Sequence, residues 1–536
     1  MPLLDDWTKM PQGQAAQSYA SLIYRRATDG MLIDDWEVDW SRQPFTHAVY
    51  PSSTTYTMPL PGPDSTLLAE TVHPTPQALA EALHIALGIV AQRLSVNLND
   101  GHTVYSQADS AKWGRTTASG GGRYCGDVYL VESGDAAAAA HSAEPHLEPK
   151  IGLPAGIYHY SILHHAWELL APGDYTDAVA DAQGHDHTAQ RYLLTTINYW
   201  RSGFKYNDFA YQATAMDLGT VAGTLIEIMG SGLSSSWDMW VAETSLSDLL
   251  GLNPDEDGVY AVQAWGSSRP SQPAPTPPRQ LPQRLTGPEA STRTFLTTKA
   301  LQREMSSQPQ RPQEFPTPSA VAELDTTDRP HDWLGSLLHR ESSFGRFTGA
   351  PVPAEALRTM LQRADTVGDL FTTGPGARWE FLVYVTAVDG LTPGLYSYRG
   401  GQHQQDPLTL LVEGPQNDFL ASTYFLRNYD GHRAAATVIL CANVFEATQL
   451  WGVRGYRYIN AIVGAMCQAM SVQAVRHGIS TGTALGFDAL KHAHHAGLEA
   501  ERMTPLLMMM TGVDDEKCGR FSATTTTLTT ILEDLA

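Results

Sequence analysis

Cysteine is scarce in this chain: four residues among 536, at positions 125, 441, 467 and 518, with no C-x-x-C pair and no Cys/His ligand spacing. A disulfide framework and a closed zinc site are thereby excluded as organising devices, and a reducing cytoplasm is the expected compartment. Charge is thin as well. Only 17% of residues are Asp, Glu, Lys or Arg, and seven of the 35 cations are lysine, so a lysine in an unusual setting stands out. Basic excess is missing altogether: 57 acids against 35 bases leave a formal charge of −22. Such a field repels phosphate backbones and anionic lipid, so no nucleic-acid and no membrane partner is expected. No run of about eighteen apolar residues occurs, and segment 1–10 holds Asp5, Asp6 and Trp7 where a leader would carry a basic stretch and then an apolar one. The chain is expected to be neither secreted nor membrane-spanning.

What is present is apolar material, 42% of the residues, enough for at least two cores over a length several times that of a typical domain. A composition break separates them. Over 267–328 Pro, Gln, Ser, Thr and Arg dominate, as in Arg269-Pro-Ser-Gln-Pro-Ala-Pro-Thr-Pro-Pro278. Such a stretch buries too little apolar surface to offset its ordering entropy, and it reads as an extended, partly polyproline linker with one short helix near 295–304. Gly134-Asp-Ala-Ala-Ala-Ala-Ala-His reads as a surface loop, and the Thr-rich tail after Phe521 as a strand or a frayed end.

The flanking segments, 1–266 and 329–536, repeat one another in order. Gly121-Gly-Arg-Tyr-Cys-Gly-Asp-Val-Tyr-Leu-Val matches Gly376-Ala-Arg-Trp-Glu-Phe-Leu-Val-Tyr-Val, and Gly156-Ile-Tyr-His-Tyr matches Gly394-Leu-Tyr-Ser-Tyr. Further on, Lys205-Tyr206 falls opposite Leu450-Trp451, Asp208-Phe-Ala-Tyr-Gln opposite Val453-Arg-Gly-Tyr-Arg, and Gly232-Leu-Ser opposite Gly478-Ile-Ser. Apolar β-branched and aromatic runs predict strands at 128–131 and 381–385, with short strands at the two Gly-x-Tyr segments. Helical spacing predicts core helices over 76–88, 211–229 and 456–477. Each half is therefore a mixed α+β unit, and a unit duplicated within one chain implies an intramolecular pseudo-dimer.

Three ordered motifs give the first half a family likeness. Arg115-Thr-Thr-Ala-Ser-Gly-Gly-Gly-Arg-Tyr124, Leu153-Pro-Ala-Gly-Ile-Tyr-His-Tyr160 and Lys205-Tyr-Asn-Asp-Phe-Ala-Tyr211 resemble the SagB-type branch of the FMN-dependent nitroreductase superfamily. The resemblance implies two tandem nitroreductase-like domains and an azoline dehydrogenase that oxidises thiazolines or oxazolines in a ribosomally made peptide to thiazoles or oxazoles. It also implies FMN as cofactor, a cyclised precursor peptide as substrate and a cyclodehydratase complex as partner.

Flavin sites of this family are similar in being shared between two subunits, and the two halves divide the parts. In the second half Arg340-Glu-Ser-Ser-Phe-Gly-Arg-Phe347 resembles the phosphate motif, so Arg340, Ser342 and Arg346 are implied to hold phosphate, Arg346 one residue later than usual. Two guanidiniums and a hydroxyl suit a dianion. Gly486 is implied to approach the flavin through its backbone. In the first half Leu67-Leu-Ala-Glu-Thr-Val-His-Pro-Thr-Pro76 has no arginine, and Trp240 stands opposite Gly486. Conversely the first half keeps the loop Ser119, Gly120 and Gly121, with Arg115 a further flavin candidate, where the second reads Thr373-Gly-Pro-Gly376. One composite site per chain is expected, its mirror image lost.

Lys205 and Tyr206 are implied to serve the proton step of the dehydrogenation, and which of the two takes the proton stays open. Dioxygen is the expected reoxidant, since no G-x-G-x-x-G follows a strand. A nicotinamide-dependent flavin reductase or nitroreductase and a non-catalytic peptide-binding scaffold are the alternatives. The histidines at 164, 165, 185, 187, 492, 494 and 495 lack an accompanying carboxylate or cysteine pattern, so no metal is assigned. Met508, Met509 and Met510 read as strand core, and Met466 and Cys467 as helix core.

Overall fold

The computed structural model describes residues 14–28, 38–61, 74–95, 111–134, 152–229, 237–278, 280–288, 296–308, 310–312, 315–316, 333–340, 343, 346–371, 376–399, 407–426, 429–498, 502–515 and 520–524. The first lobe contains α1 (Ala15–Tyr24), β1 (Thr54–Thr57), α2 (Pro76–Leu87), β2 (Ala91–Ser95), β3 (Ala111–Gly114), β4 (Gly126–Glu132), β5 (Gly156–Ser161) and β6 (Ala166–Pro172). It continues through α3 (Thr176–Gln183), β7 (His187–Asn198), α4 (Tyr199–Tyr206), α5 (Ala210–Met229), α6 (Glu243–Leu250) and β8 (Asp257–Pro270). After α7 (Leu296–Ser306) and α8 (Trp333–His339) the second lobe contains α9 (Ala354–Phe371), β9 (Trp379–Val385), β10 (Gly394–Tyr398), β11 (Leu408–Glu413), α10 (Asn417–Thr423) and β12 (Ala436–Ala442). It ends with α11 (Val444–Arg476), β13 (Ser480–Ala484), α12 (Ala489–His495), β14 (Thr504–Gly512) and β15 (Arg520–Thr524).

Each lobe is built on a six-stranded antiparallel sheet, in the orders β1-β6-β5-β4-β7-β8 and β11-β10-β9-β12-β14-β13. Side chains alternate across each strand. Val128 and Leu130 of β4 face the core shared by both lobes, while Tyr129 and Val131 face α3 and α6. Phe381 and Val383 of β9 face the same shared core, and Leu382 and Tyr384 pack toward α10 with Met508 and Met510.

The duplication extends to backbone detail. The register shifts at Ile157/Tyr158 in one lobe and at Leu395/Tyr396 in the other. Tyr158 donates to the Pro154 carbonyl at 2.7 Å and Tyr396 to the Thr392 carbonyl at 2.8 Å. Helix α4 ends at Asn207 with φ 50, ψ −138, and α11 breaks at the equivalent Gly452 with φ 58, ψ −139. This positive-φ conformation is open to Gly and tolerated by Asn. Helix α11 accordingly starts at Val444, twelve residues before the predicted start, because the counterpart of α4 is continuous with it across the break.

The lobes meet where α5 crosses α11. A methyl placed on Gly219 would lie 1.8 Å from the Ala461 carbonyl oxygen, and one on Gly464 would lie 2.1 Å from the Met216 carbonyl oxygen. Met216 and Gly219 are the repeat counterparts of Ala461 and Gly464, so the contact is isologous, as a two-fold axis requires. Arg457 of α11 enters the first lobe beside it, donating to Tyr211 Oη at 2.9 Å and Tyr199 Oη at 2.7 Å and pairing with Glu243. By length and composition α11 could cross a membrane, yet 89% of its apolar window is buried inside the protein.

Segment 267–328 departs in part from the sequence expectation. Strand β8 runs to Pro270, past 267, and the chain after it is strapped down at intervals. Arg284 pairs with Asp257 at 2.8 Å and Asp127 at 3.1 Å, Leu285 bridges Val49, and Leu301, Met305 and Phe315 are buried. A few well-placed anchors suffice where average composition suggested none. The C-terminal strand β15 pairs with β2 of the first lobe, Arg520 opposite Ser95.

Because Gly219 and Gly464 meet carbonyl oxygens and not flexible side chains, added methyls must push the helices apart. Gly219→Ala and Gly464→Ala are each expected to destabilise the protein by about 3 kcal/mol, with both lobes unfolding together, as read by urea denaturation followed by circular dichroism.

Candidate functional site

The first-lobe part of the site is the loop between β3 and β4. Ser119 precedes a single 3-10 turn, Gly120–Gly122, with Gly121 at φ 59 and Gly122 at φ 65. Against this turn lies the end of α4. A methyl on Gly121 would fall 2.1 Å from Tyr206 Oη and 2.9 Å from Lys205 Nζ, so its dihedral favours glycine here and any side chain would displace the two tips. Lys205 Nζ is 5.3 Å from the centre of the Tyr206 ring, and both residues are half-buried. Sequence positions 119–121 and 205–206 thus form one surface.

The second lobe reaches this loop directly. Arg340, at the end of α8, donates from Nε to the Thr116 carbonyl and from Nη2 to the Arg115 carbonyl at 2.8 Å. Gln468 of α11 accepts from the Ala118 amide at 3.1 Å and donates to the Thr116 carbonyl at 2.9 Å. Arg115 itself is turned into the first lobe, its guanidinium 4.1 Å over the Tyr124 ring and toward the Thr46 carbonyl, and burial lowers its pKa to about 10. Arg346 is half-buried, and its carbonyl accepts from the Asp515 amide at 3.0 Å. Ser342 lies outside the described residues. Its neighbour Ser343 is buried and donates to Asp514 at 2.6 Å.

Gly486 lies in the turn between β13 and α12, its carbonyl accepting from the Phe425 amide at 2.9 Å. A residue not singled out from sequence links this turn to the dyad. Arg26, just past α1, donates to the Leu485 carbonyl at 3.1 Å, and its guanidinium lies 3.7 Å over the Phe209 ring, which packs edge-on against Tyr206 at 6.2 Å. Gly121, Tyr206, Phe209, Arg26 and the 485–486 turn are therefore contiguous across the lobe boundary.

Asp217 and Gln468 were also missed. Each is a polar residue inside an otherwise apolar helix, a signal that was readable but carried no address until the helices were packed. Asp217 accepts from Ser119 Oγ at 2.6 Å, from the Gly120 amide at 2.8 Å and from the Cys125 thiol at 3.3 Å, and burial raises its pKa to about 6.

The mirror position is filled by aromatic side chains. A methyl on Gly376 would lie 2.3 Å from the indole of Trp451, the counterpart of Tyr206. Phe315 packs between Trp451, at 5.3 Å, and Trp240, at 4.9 Å, and all three are buried.

The histidine pairs are engaged locally. His492 sits between Tyr384 Oη and Thr423 Oγ1 at 2.7 and 2.8 Å, with burial lowering its pKa to about 3, and His495 stacks on Phe419. Among the described residues no group of three or more His, Cys, Asp or Glu converges in a way that could hold a metal ion.

Residues 338–513 match the model of the nitroreductase family. No curated protein matches the chain. Among solved structures, a nitroreductase-type protein from Anabaena variabilis aligns with 94% of this chain and 99% of its own at a TM-score of 0.64 and 17% identity. One from Ralstonia eutropha is 19% identical over 38% of this chain and 95% of its own, with a TM-score of 0.28. A chain of the E. coli microcin synthetase McbBCD complex with truncated pro-MccB17 bound is 15% identical over 39% of this chain and 79% of its own, with a TM-score of 0.28. The near-complete alignment with the Anabaena protein covers both lobes, and the family match falls in the second: the chain is of α+β class, two tandem nitroreductase-like domains closed on each other as an intramolecular pseudo-dimer.

Proposed function

We propose that this chain is an FMN-dependent dehydrogenase with one flavin site, which oxidises thiazoline or oxazoline rings in a ribosomally synthesised peptide and passes the electrons to dioxygen. The observation that carries the reading is the packing of Lys205 and Tyr206 onto Gly121, in a loop gripped by Arg340 and Gln468 of the other lobe. The residues fit a flavin. Ser342 and Arg346 would hold its phosphate, next to Arg340, whose Nε and Nη2 are committed to the Thr116 and Arg115 carbonyls, and Ser119, Gly120, Gly121 and Gly486 would flank its ring with backbone in place of bulky side chains. Arg115, turned inward, would support the loop and not touch the cofactor.

When bound, FMN supplies the acceptor for the hydride that leaves the azoline ring carbon. The remaining task falls to the protein, which must take the proton from the adjacent ring carbon so that the new double bond can form. We assign that task to Lys205 Nζ and Tyr206 Oη, a reading supported by the approach of both to Gly121. Arg26 adds a fixed cation beside Tyr206. Trp451, which cannot transfer a proton, occupies the mirror position together with Phe315 and Trp240, which supports a single working site.

A second reading, a nicotinamide-dependent nitroreductase acting on small molecules, is favoured by the general family match of residues 338–513. Rapid bleaching of the flavin by NADPH without peptide selects that reading. Oxidation of an azoline peptide by two hydrogens per ring, read by mass spectrometry without nicotinamide, selects the first.

Flavin absorbance against protein concentration is expected to show one FMN per chain, and two per chain would contradict the single-site reading. Lys205→Ala with Tyr206→Phe is expected to retain flavin and lose at least about a hundredfold in turnover. Full turnover with flavin bound would remove the dyad from the mechanism.

A further inference from the structure

One face of α5 is polar where its surroundings are not. Asp217, Thr220 and Thr224 are buried at positions i, i+3 and i+7, which share a helix face. All three grip the loop that precedes β4. Asp217 takes the Ser119 hydroxyl and the Gly120 amide, Thr220 donates to the Ala118 carbonyl at 2.6 Å, and Thr224 pairs with the Thr117 hydroxyl at 2.9 Å. Ser119 Oγ in turn accepts from the Tyr124 amide at 2.8 Å.

The duplicated fold supplies an internal control. The repeat counterparts of Asp217, Thr220 and Thr224 on α11 are Ile462, Ala465 and Ala469, all buried and all apolar. The equivalent face of α11 is therefore buried without polar side chains, so this place in the fold does not by itself demand them. The loop conformation is what they support: Gly121 and Gly122 hold positive φ, which glycine adopts freely, and the non-glycine Tyr124 holds φ 47, a costly value that persists only when its surroundings over-determine it. The stripe is present on the side where Lys205 and Tyr206 stand and absent where Trp451 stands.

We infer that Asp217, backed by Thr220 and Thr224, is a positioning residue that locks loop 117–124 in the shape that receives the flavin ring and seats the Lys205–Tyr206 pair. This rests on the flavin reading above. A buried carboxylate with hydroxyl, amide and thiol donors and no cation in that set is a costly choice for a core position, and burial raises its pKa to about 6 against the lowering effect of those hydrogen bonds. An apolar residue is expected to be tolerated by the fold, as it is at 462.

The test compares the wild-type chain with Asp217→Ile and Asp217→Asn. The isoleucine variant is expected to melt at or above the wild-type temperature at pH 7.5, to exchange the amides of 118–124 at least tenfold faster in hydrogen-exchange mass spectrometry, and to bind FMN at least tenfold more weakly by fluorescence quenching. Asparagine, which keeps an acceptor for Gly120, is expected to recover FMN affinity to within threefold of wild type. A folded Asp217→Ile that binds FMN as tightly as wild type overturns the inference. So does a parallel loss of stability and FMN affinity that asparagine does not rescue, which would mark an ordinary core group. A wild-type chain that binds no FMN refutes the flavin reading itself and removes the ligand that the loop was inferred to position.

Discussion

The backbone contact between α5 and α11 sets the terms for everything else in this protein. Two helices that touch at Gly219 and Gly464, carbonyl against Cα, stand closer than helices separated by side chains. At that separation the residues one and two turns along the crossing reach past the partner helix. Gln468 of α11 arrives at the first-lobe loop, and Arg457 arrives among Tyr199, Tyr211 and Glu243. A single core then runs through both lobes, and the lobe boundary becomes the place where polar groups of opposite origin can be held in fixed relation, screened from water.

A two-fold arrangement creates two such places, and the chain has treated them in opposite ways. On one side a glycine turn backs a lysine and a tyrosine, the second lobe exchanges hydrogen bonds with residues 115–118 leading into the turn, and a polar stripe on α5 holds the loop from below. On the other, Trp451, Phe315 and Trp240 pack edge to face, burying large apolar area where a ligand would otherwise compete with water. Once one chain carries both copies, each copy is free to keep only the parts that face one side. A homodimer has no such freedom, because any change appears on both sides.

The repeat, the α+β class and the main helices and strands were legible because they rest on local pattern: alternation in β4 and β9, helical spacing in α2 and α5, and glycines in register in the two halves. The surface of Gly121, Lys205 and Tyr206 was legible only as separate motifs in order. Arg26 was not legible at all, since its significance depends on α1 packing beside a turn some 460 positions away. Asp217 was visible as a carboxylate in an apolar helix, but that pattern is equally consistent with a solvent-facing residue. In segment 267–328 the short helix expected near 295–304 is α7, but the anchors themselves were not legible. The segment's composition is that of an unanchored chain, whereas Arg284, Leu301, Met305 and Phe315 each find a specific buried partner, and average composition cannot report single anchors.

Periodicity, glycine placement and the ordered motifs were enough to read from sequence that two similar units are present and that their motifs differ in complementary ways. Those properties are local, and a linear pattern records them. The packing alone decided that the surviving parts meet on the same side of one boundary, that Asp217 and Gln468 bind the loop between them, and that aromatic rings close the opposite side. These depend on the distance and angle at which two helices cross, which is set by contacts between residues hundreds of positions apart and so is written nowhere along the chain.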